Sequence, residues 1–154
     1  MYLISACLCG VNCKYNGKNN LNKHCLDLFK SGKAILVCPE QLGGLTTPRK
    51  PSEIQGESCE IINNKVGKII NNLGDDVTYQ FIKGAEETLN IAKEAGVKIA
   101  ILKEGSPSCG KNNVYDGTFS GRKIEGEGIT SFMLRNNGIR VISDEEFDEN
   151  YINK

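Results

Sequence analysis

The sequence carries no excess of either charge, because 19 Lys and Arg balance 19 Asp and Glu. That balance removes any whole-molecule attraction to nucleic acid or to a membrane surface and leaves only local basic patches open. No apolar run approaches the roughly 20 residues needed to cross a bilayer. The opening stretch, MYLISACLCG, lacks a charged segment followed by a hydrophobic one, so it does not read as a secretory signal, and a cytoplasmic protein is expected. Repeats, low-complexity tracts and a dividing linker are also missing, which points to a single domain over residues 1–154. There is one histidine, His24, on a helical stretch where it reads as a surface residue.

What is present is a pattern of short apolar runs alternating with helical periodicity. Apolar residues make up 39% and charged residues 25% of the 154 positions, enough for one buried core. Residues 2–8 and 34–37 read as strands, the first ending in Cys-Gly and the second in Cys38-Pro39. Residues 21–30 carry helical spacing up to Gly32. The following stretch, PEQLGGLTTPRKPSEI, predicts a long loop of the kind that carries function. The segments CEIIN and VGKII predict a small hairpin turning at Asn63-Asn64-Lys65. Residues 75–95 form the clearest helix, with Val77, Phe81, Ala85, Leu89 and Ala92 on one face and Gly96 as its stop. A buried-type strand at 97–102, a short helix at ITSFMLRNN, a strand at 139–142 and an acidic helix or tail complete the chain. Strands alternating with helices at crossover lengths predict a three-layer α/β fold, Rossmann-like, with a mostly parallel sheet and a small β-hairpin insertion.

Seven cysteines stand out in such a chain. Their odd number and irregular spacing argue against a disulfide framework, and in a reducing compartment clustered thiols point to metal binding or catalysis. Free cysteine also serves as a small buried apolar residue. Cys7 and Cys38 end the first two strands, and Cys109 lies in the loop after the 97–102 strand. Ligands in parallel sheets bind beyond the carboxyl ends of the strands, so these cysteines can converge. No CxxC pair is present, which removes the usual spacing of a structural zinc site. An iron–sulfur cluster on three thiolates would keep one iron open to a soft ligand such as sulfur. Cys9 and Cys13 share the first loop, so a closed site of Cys7, Cys9, Cys13 and Cys38, or plain structural cysteines, are the competing readings.

Four ordered stretches carry a resemblance: SACLCGVNCKYNG (5–17), CPEQLGGLTTPR (38–49), KEGSPSCG (103–110) and VYDGTFSG with GEGIT (114–130). Together they resemble the DUF523 (TudS) family, which includes thiouracil desulfidases. The resemblance implies a single α/β domain binding a [4Fe–4S] cluster through Cys7, Cys38 and Cys109, with the fourth iron free for substrate. It leaves Cys13 outside the ligand set, and Cys9, Cys25 and Cys59 take the structural reading. The chain departs from the usual RYDG in having Lys14-Tyr15-Asn16-Gly17, replacing a forked guanidinium by a point charge and a carboxylate by an amide.

The chemistry so implied is hydrolytic and non-redox: removal of sulfur from thiouracil or a thiolated uridine nucleotide with release of sulfide. Glu40, two residues after Cys38, is the expected acid/base, the alternative being that it only fixes its loop. Ser106 and Ser108, flanking Pro107, are expected either to face the pyrimidine or to serve as a turn or helix cap. Gly126 and Gly128, leading into the ITSFML helix, are expected either to offer backbone N–H groups to an anion such as a nucleotide phosphate or to serve simply as the helix entry. Arg49, Lys103 and Lys14 are further phosphate candidates. Desulfidation of 4-thiouridine in tRNA and a non-catalytic metal or cluster carrier are the alternatives; the neutral charge argues against tRNA.

Overall fold

The computed structural model describes residues 1–152. Its centre is a parallel sheet of β1 (Tyr2–Ser5), β2 (Ala34–Val37), β5 (Ile99–Leu102) and β8 (Arg140–Ser143), in the order β2-β1-β5-β8. Tyr2 stands beside Ala34 on one side and Ile99 on the other, and Ile99 beside Arg140. Side chains alternate along these strands, so each strand feeds two cores. Leu3, Ala100, Leu102 and Val141 face one side, against Ala92 of α4 (Thr78–Glu94) and Leu134 of α5 (Ile129–Asn136). Ile4, Ile101 and Ile142 face the other, against Cys25 and Leu28 of α1 (Lys23–Lys30) and Phe147. Three layers result, as the periodicity requires.

A third core joins the outer face of α4 and α5 to a small subdomain, where Phe81, Ala85 and Met133 meet Ile54, Ile61 and Ile69. Here the structure corrects the expected hairpin. CEIIN is helical, within α3 (Ser58–Asn64), and only the second segment is a strand, β4 (Lys68–Asn71). Its antiparallel partner is β3 (Ser52–Gln55), from the stretch expected to be loop, in the register Ser52 to Asn71. Local chemistry explains the change. Ile61 N–H donates to Glu57 O, Asn64 Nδ2 donates to Glu60 Oε2 one turn back, and Lys65 in the left-handed region (φ 55°) ends the helix with Val66 N–H returning to Glu60 O. Burial of Ile61 then outweighs the strand preference of paired isoleucines.

The expected long loop also contains one helical turn, α2 (Pro39–Leu42), and the polar stretch after Cys109 holds a true hairpin of β6 (Asn113–Tyr115) and β7 (Lys123–Glu125). The acidic tail forms α6 (Glu149–Ile152), and residues 153 and 154 lie outside the described residues. No described helix is long and apolar enough to cross a membrane.

Candidate active site

The sheet order makes β1 the strand from which the chain departs to β2 on one side and later returns as β5 on the other. The gap beyond the carboxyl ends of β1 and β5 is therefore a topological switch point, where such folds place ligands. A cavity of ≈ 650 Å³ opens there, within the size range of small-molecule sites, and Cys7, Cys13, Cys38 and Cys109 all line it. The short 3₁₀ turn Ala6–Cys9 that follows β1 sends Cys7 toward the cavity and Cys9 into the core beside Cys25. Cys59, half-buried on α3, lies elsewhere with its sulfur 3.6 Å from Glu57 Oε2. The closed set of Cys7, Cys9, Cys13 and Cys38 is thus not brought together. His24 lies on α1 and does not line the cavity.

Each of the expected cluster thiols has its own support. Cys38 caps the start of α2, and its Sγ lies 3.8 Å from the Cys13 carbonyl oxygen. Its pKa falls to about 7, chiefly through a hydrogen bond from the Cys13 thiol; burial opposes this, while the Gln41 N–H and the Arg49 charge assist. Burial pushes the Cys7 thiol up, with the Asn20 side chain and the Lys103 charge working against it. Burial likewise pushes Cys109 up to about 12, opposed by a hydrogen bond from Ser5. Burial therefore favours the neutral thiol at Cys7 and Cys109, and a coordinated metal would favour the thiolate in its place.

The loop carrying Cys109 is fixed from two directions. Ser106 Oγ accepts the N–H groups of Ser108 and Cys109, and Ser108 Oγ shares a hydrogen bond with Thr130 Oγ1 at 2.9 Å. The first N–H groups of α5 complete the anchor: Gly128 donates to Gly110 O, Ile129 to Pro107 O, and Thr130 and Ser131 to Ser108 O. This corrects the expected phosphate grip at the helix entry. Gly126 and Gly128 do not line the cavity, and the Gly126 N–H is taken by Asn112 O. The helix dipole is spent on the carbonyls of the cysteine loop.

Glu104 supports the same loop from below. Its buried Oε1 accepts N–H groups from Lys111 and Asn112 at 2.9 Å and from Asn113 at 3.0 Å, and Oε2 accepts Asn112 Nδ2. Burial alone would raise its pKa, but these donors prevail and hold the carboxyl below its ordinary value.

Glu40 lines the cavity from α2, its side chain only 14% exposed. Arg49 meets it, Nε lying 2.6 Å from Glu40 Oε2 and Nη2 pairing with the same oxygen. The remaining guanidinium donors go to Thr46 O, Thr47 Oγ1 and Cys13 O. Arg49 therefore clamps α2 and its own loop to the loop of Cys13, with no donor left over for the phosphate role expected of it. Burial raises the Glu40 pKa, and the charge and hydrogen bond of Arg49 pull it back.

Lys14 and Lys103 both line the cavity, as does Lys123. Lys103 Nζ stands 3.4 Å from Asp144 Oδ2, and Lys14 Nζ lies 5.9 Å from the Tyr15 ring centre.

The family model described as 2-thiouracil desulfurase matches residues 2–146. The chain belongs to the 2-thiouracil desulfurase family. An uncharacterized protein of Bacillus subtilis (strain 168), YbbK, is 46% identical over 149 residues, covering 97% of this chain and 99% of that protein. Among solved structures, the [4Fe-4S]-dependent thiouracil desulfidase TudS (DUF523) superposes with a TM-score of 0.86 at 38% identity, over 99% of this chain and 95% of that one.

For a 2-thiouracil desulfurase, the sequence reading missed several cavity residues. Ser5 and Glu104 lie within the motifs SACL and KEGSPSCG, where motif membership was the available signal. Cys13 shares the Gly- and Asn-rich loop of Cys7. Asn20 and Lys123 gave no signal, because only loop packing brings them to the cavity.

Proposed function

We propose that this chain is a [4Fe–4S]-dependent desulfidase that removes sulfur from thiouracil or a thiolated uridine nucleotide without net redox change. The observation carrying this reading is the convergence of Cys7, Cys38 and Cys109 with Glu40 on one cavity at the switch point. The donor set suits the cofactor. Among the described residues, no three Cys, His, Asp or Glu side chains are grouped closely enough to hold a single metal ion. Thiolates of a cubane bind separate irons, so three cysteines that line one cavity need not converge on a single atom. Cys7, Cys38 and Cys109 would hold the cluster, which when bound supplies a Lewis-acidic iron to a soft thiocarbonyl sulfur.

The protein's own groups supply the rest. The overall change is C=S plus water giving C=O plus hydrogen sulfide, so water must lose a proton as it attacks carbon. Glu40 takes that proton at Oε1, the oxygen that Arg49 leaves uncovered, and its burial makes it a stronger base than an exposed carboxylate. Arg49 holds the carboxylate in place by a forked contact. Ser106 and Ser108 fix the Cys109 loop, and the Ser106 hydroxyl, lining the cavity, is left to donate toward the pyrimidine. Lys14 and Lys103 give the cavity a positive side for a nucleotide phosphate. The free state of all seven cysteines suits a reducing cytoplasm.

A base or nucleotide is favoured over tRNA because the chain has no net charge. The test is anaerobic reconstitution with iron and sulfide, followed by assay of sulfide and of the oxo product with 2-thiouracil, 4-thio-UMP and thiolated tRNA. Release from the small substrates is expected. Release from tRNA alone would reverse the ranking.

A further inference from the structure

The loop between β6 and β7 holds an aromatic residue in an unfavourable backbone state. Phe119 has φ 57°, the left-handed region that bulky side chains avoid. Two side chains of β3 hold the loop in this conformation. Glu53, buried at 8% exposure, accepts through one oxygen, Oε1, the N–H of Gly117 at 3.0 Å and the N–H of Phe119 at 3.2 Å. Gln55 Nε2 donates to Gly117 O at 3.1 Å. Gly117 itself approaches so closely that a Cβ there would stand 2.7 Å from Ile54 O. A turn with no other duty would be built more stably with Asn or Gly at position 119. Phe119 instead lines the same cavity as Cys7, Cys38, Cys109 and Glu40.

We propose that Phe119 is the stacking wall for the planar ring of the substrate and that Glu53 is the positioning residue that holds it there. The substrate class rests on the desulfidase reading above; the geometry of the wall does not. A flat heterocycle held against an aromatic face gains stacking that an aliphatic side chain does not provide. Glu53 holds the loop through its backbone N–H groups, so an amide, whose oxygen also accepts two N–H groups, should replace it.

The experiment uses the reconstituted chain and its Phe119→Ala, Phe119→Leu, Phe119→Tyr, Glu53→Gln and Glu53→Leu variants. Equilibrium binding of 2-thiouracil is measured by calorimetry, together with KM, kcat, cluster absorbance and amide exchange at Gly117 and Phe119. Phe119→Ala and Phe119→Leu are expected to weaken binding and raise KM about tenfold or more, with cluster absorbance retained and the loss falling on KM. Phe119→Tyr and Glu53→Gln restore wild-type binding. Glu53→Leu reproduces the Phe119→Ala loss and exposes both amides to exchange. Wild-type-like binding in Phe119→Leu, or a loss confined to kcat and cluster content, overturns the proposal. A wild type that binds 2-thiouracil in a Phe119-dependent way yet releases no sulfide refutes the desulfidase reading alone. Sulfide release that is indifferent to position 119 refutes the stacking wall alone.

Discussion

Glu40, half-buried, and Glu104, buried, are carboxylates near the cysteine loops whose surroundings shift them in opposite directions. Glu40 has one cationic partner and a raised pKa, burial being the larger cause. In the role of base proposed for it, it would work only when deprotonated, so activity should rise with pH along a limb displaced above the ordinary glutamate value of 4.5. Glu40→Gln should lower kcat by about 100-fold or more while leaving cluster absorbance intact; undiminished sulfide release would remove Glu40 from the chemistry. Glu104 has backbone donors instead and a lowered pKa, so it stabilises the fold in its charged form. That contribution is present above the ordinary carboxylate value and is lost as pH falls through the lowered one. Glu104→Ala, which strands the donors of Lys111, Asn112 and Asn113, should cost about 3 kcal/mol in urea unfolding, and Glu104→Gln about 1 kcal/mol. The difference between wild type and Glu104→Gln should shrink toward acid pH.

Contact between α2 and α4 sets the position of Cys38 and Glu40. A Cβ on Gly84 would stand 1.9 Å from Pro39 O, and one on Gly43 would stand 1.9 Å from Gln80 O, so the two backbones touch reciprocally. Backbone cannot yield as a side-chain tip can, and Gly84→Ala should destabilise by about 2–3 kcal/mol and reduce cluster retention, read by urea midpoint and iron content. The sheet strands and α4 were legible from sequence, because periods of 2 and 3.6 are set by which faces are buried. α3 was not: CEIIN has the composition of a strand, and only the tertiary burial of Ile61 with the cap at Lys65 makes it helical. The entry to α5 was read for an anion because free N–H groups attract one. The carbonyls of Pro107 and Ser108 reach them first, a contact between segments that no local pattern reports.

At the scale of the whole molecule, a parallel sheet brings distant residues together wherever its strands end. Cys7, Cys38 and Cys109 were legible in part for that reason: each follows a strand of the sheet, so topology lets them converge, and the family resemblance singled them out from the other cysteines. Cys13 and the Arg49 clamp were not, since their positions depend on how three loops fold over the switch point. The location of Cys13 sharpens the central question, because a fourth thiol beside Cys38 is a group able to close the cluster to substrate. The deciding measurement is iron content per chain after anaerobic reconstitution of the single Cys→Ala variants at positions 7, 13, 38 and 109. Cys13→Ala should retain about four irons per chain like the wild type, while each of the other three loses most of its iron. Equal loss in Cys13→Ala would mean four protein ligands and no iron open to sulfur, and would contradict the account.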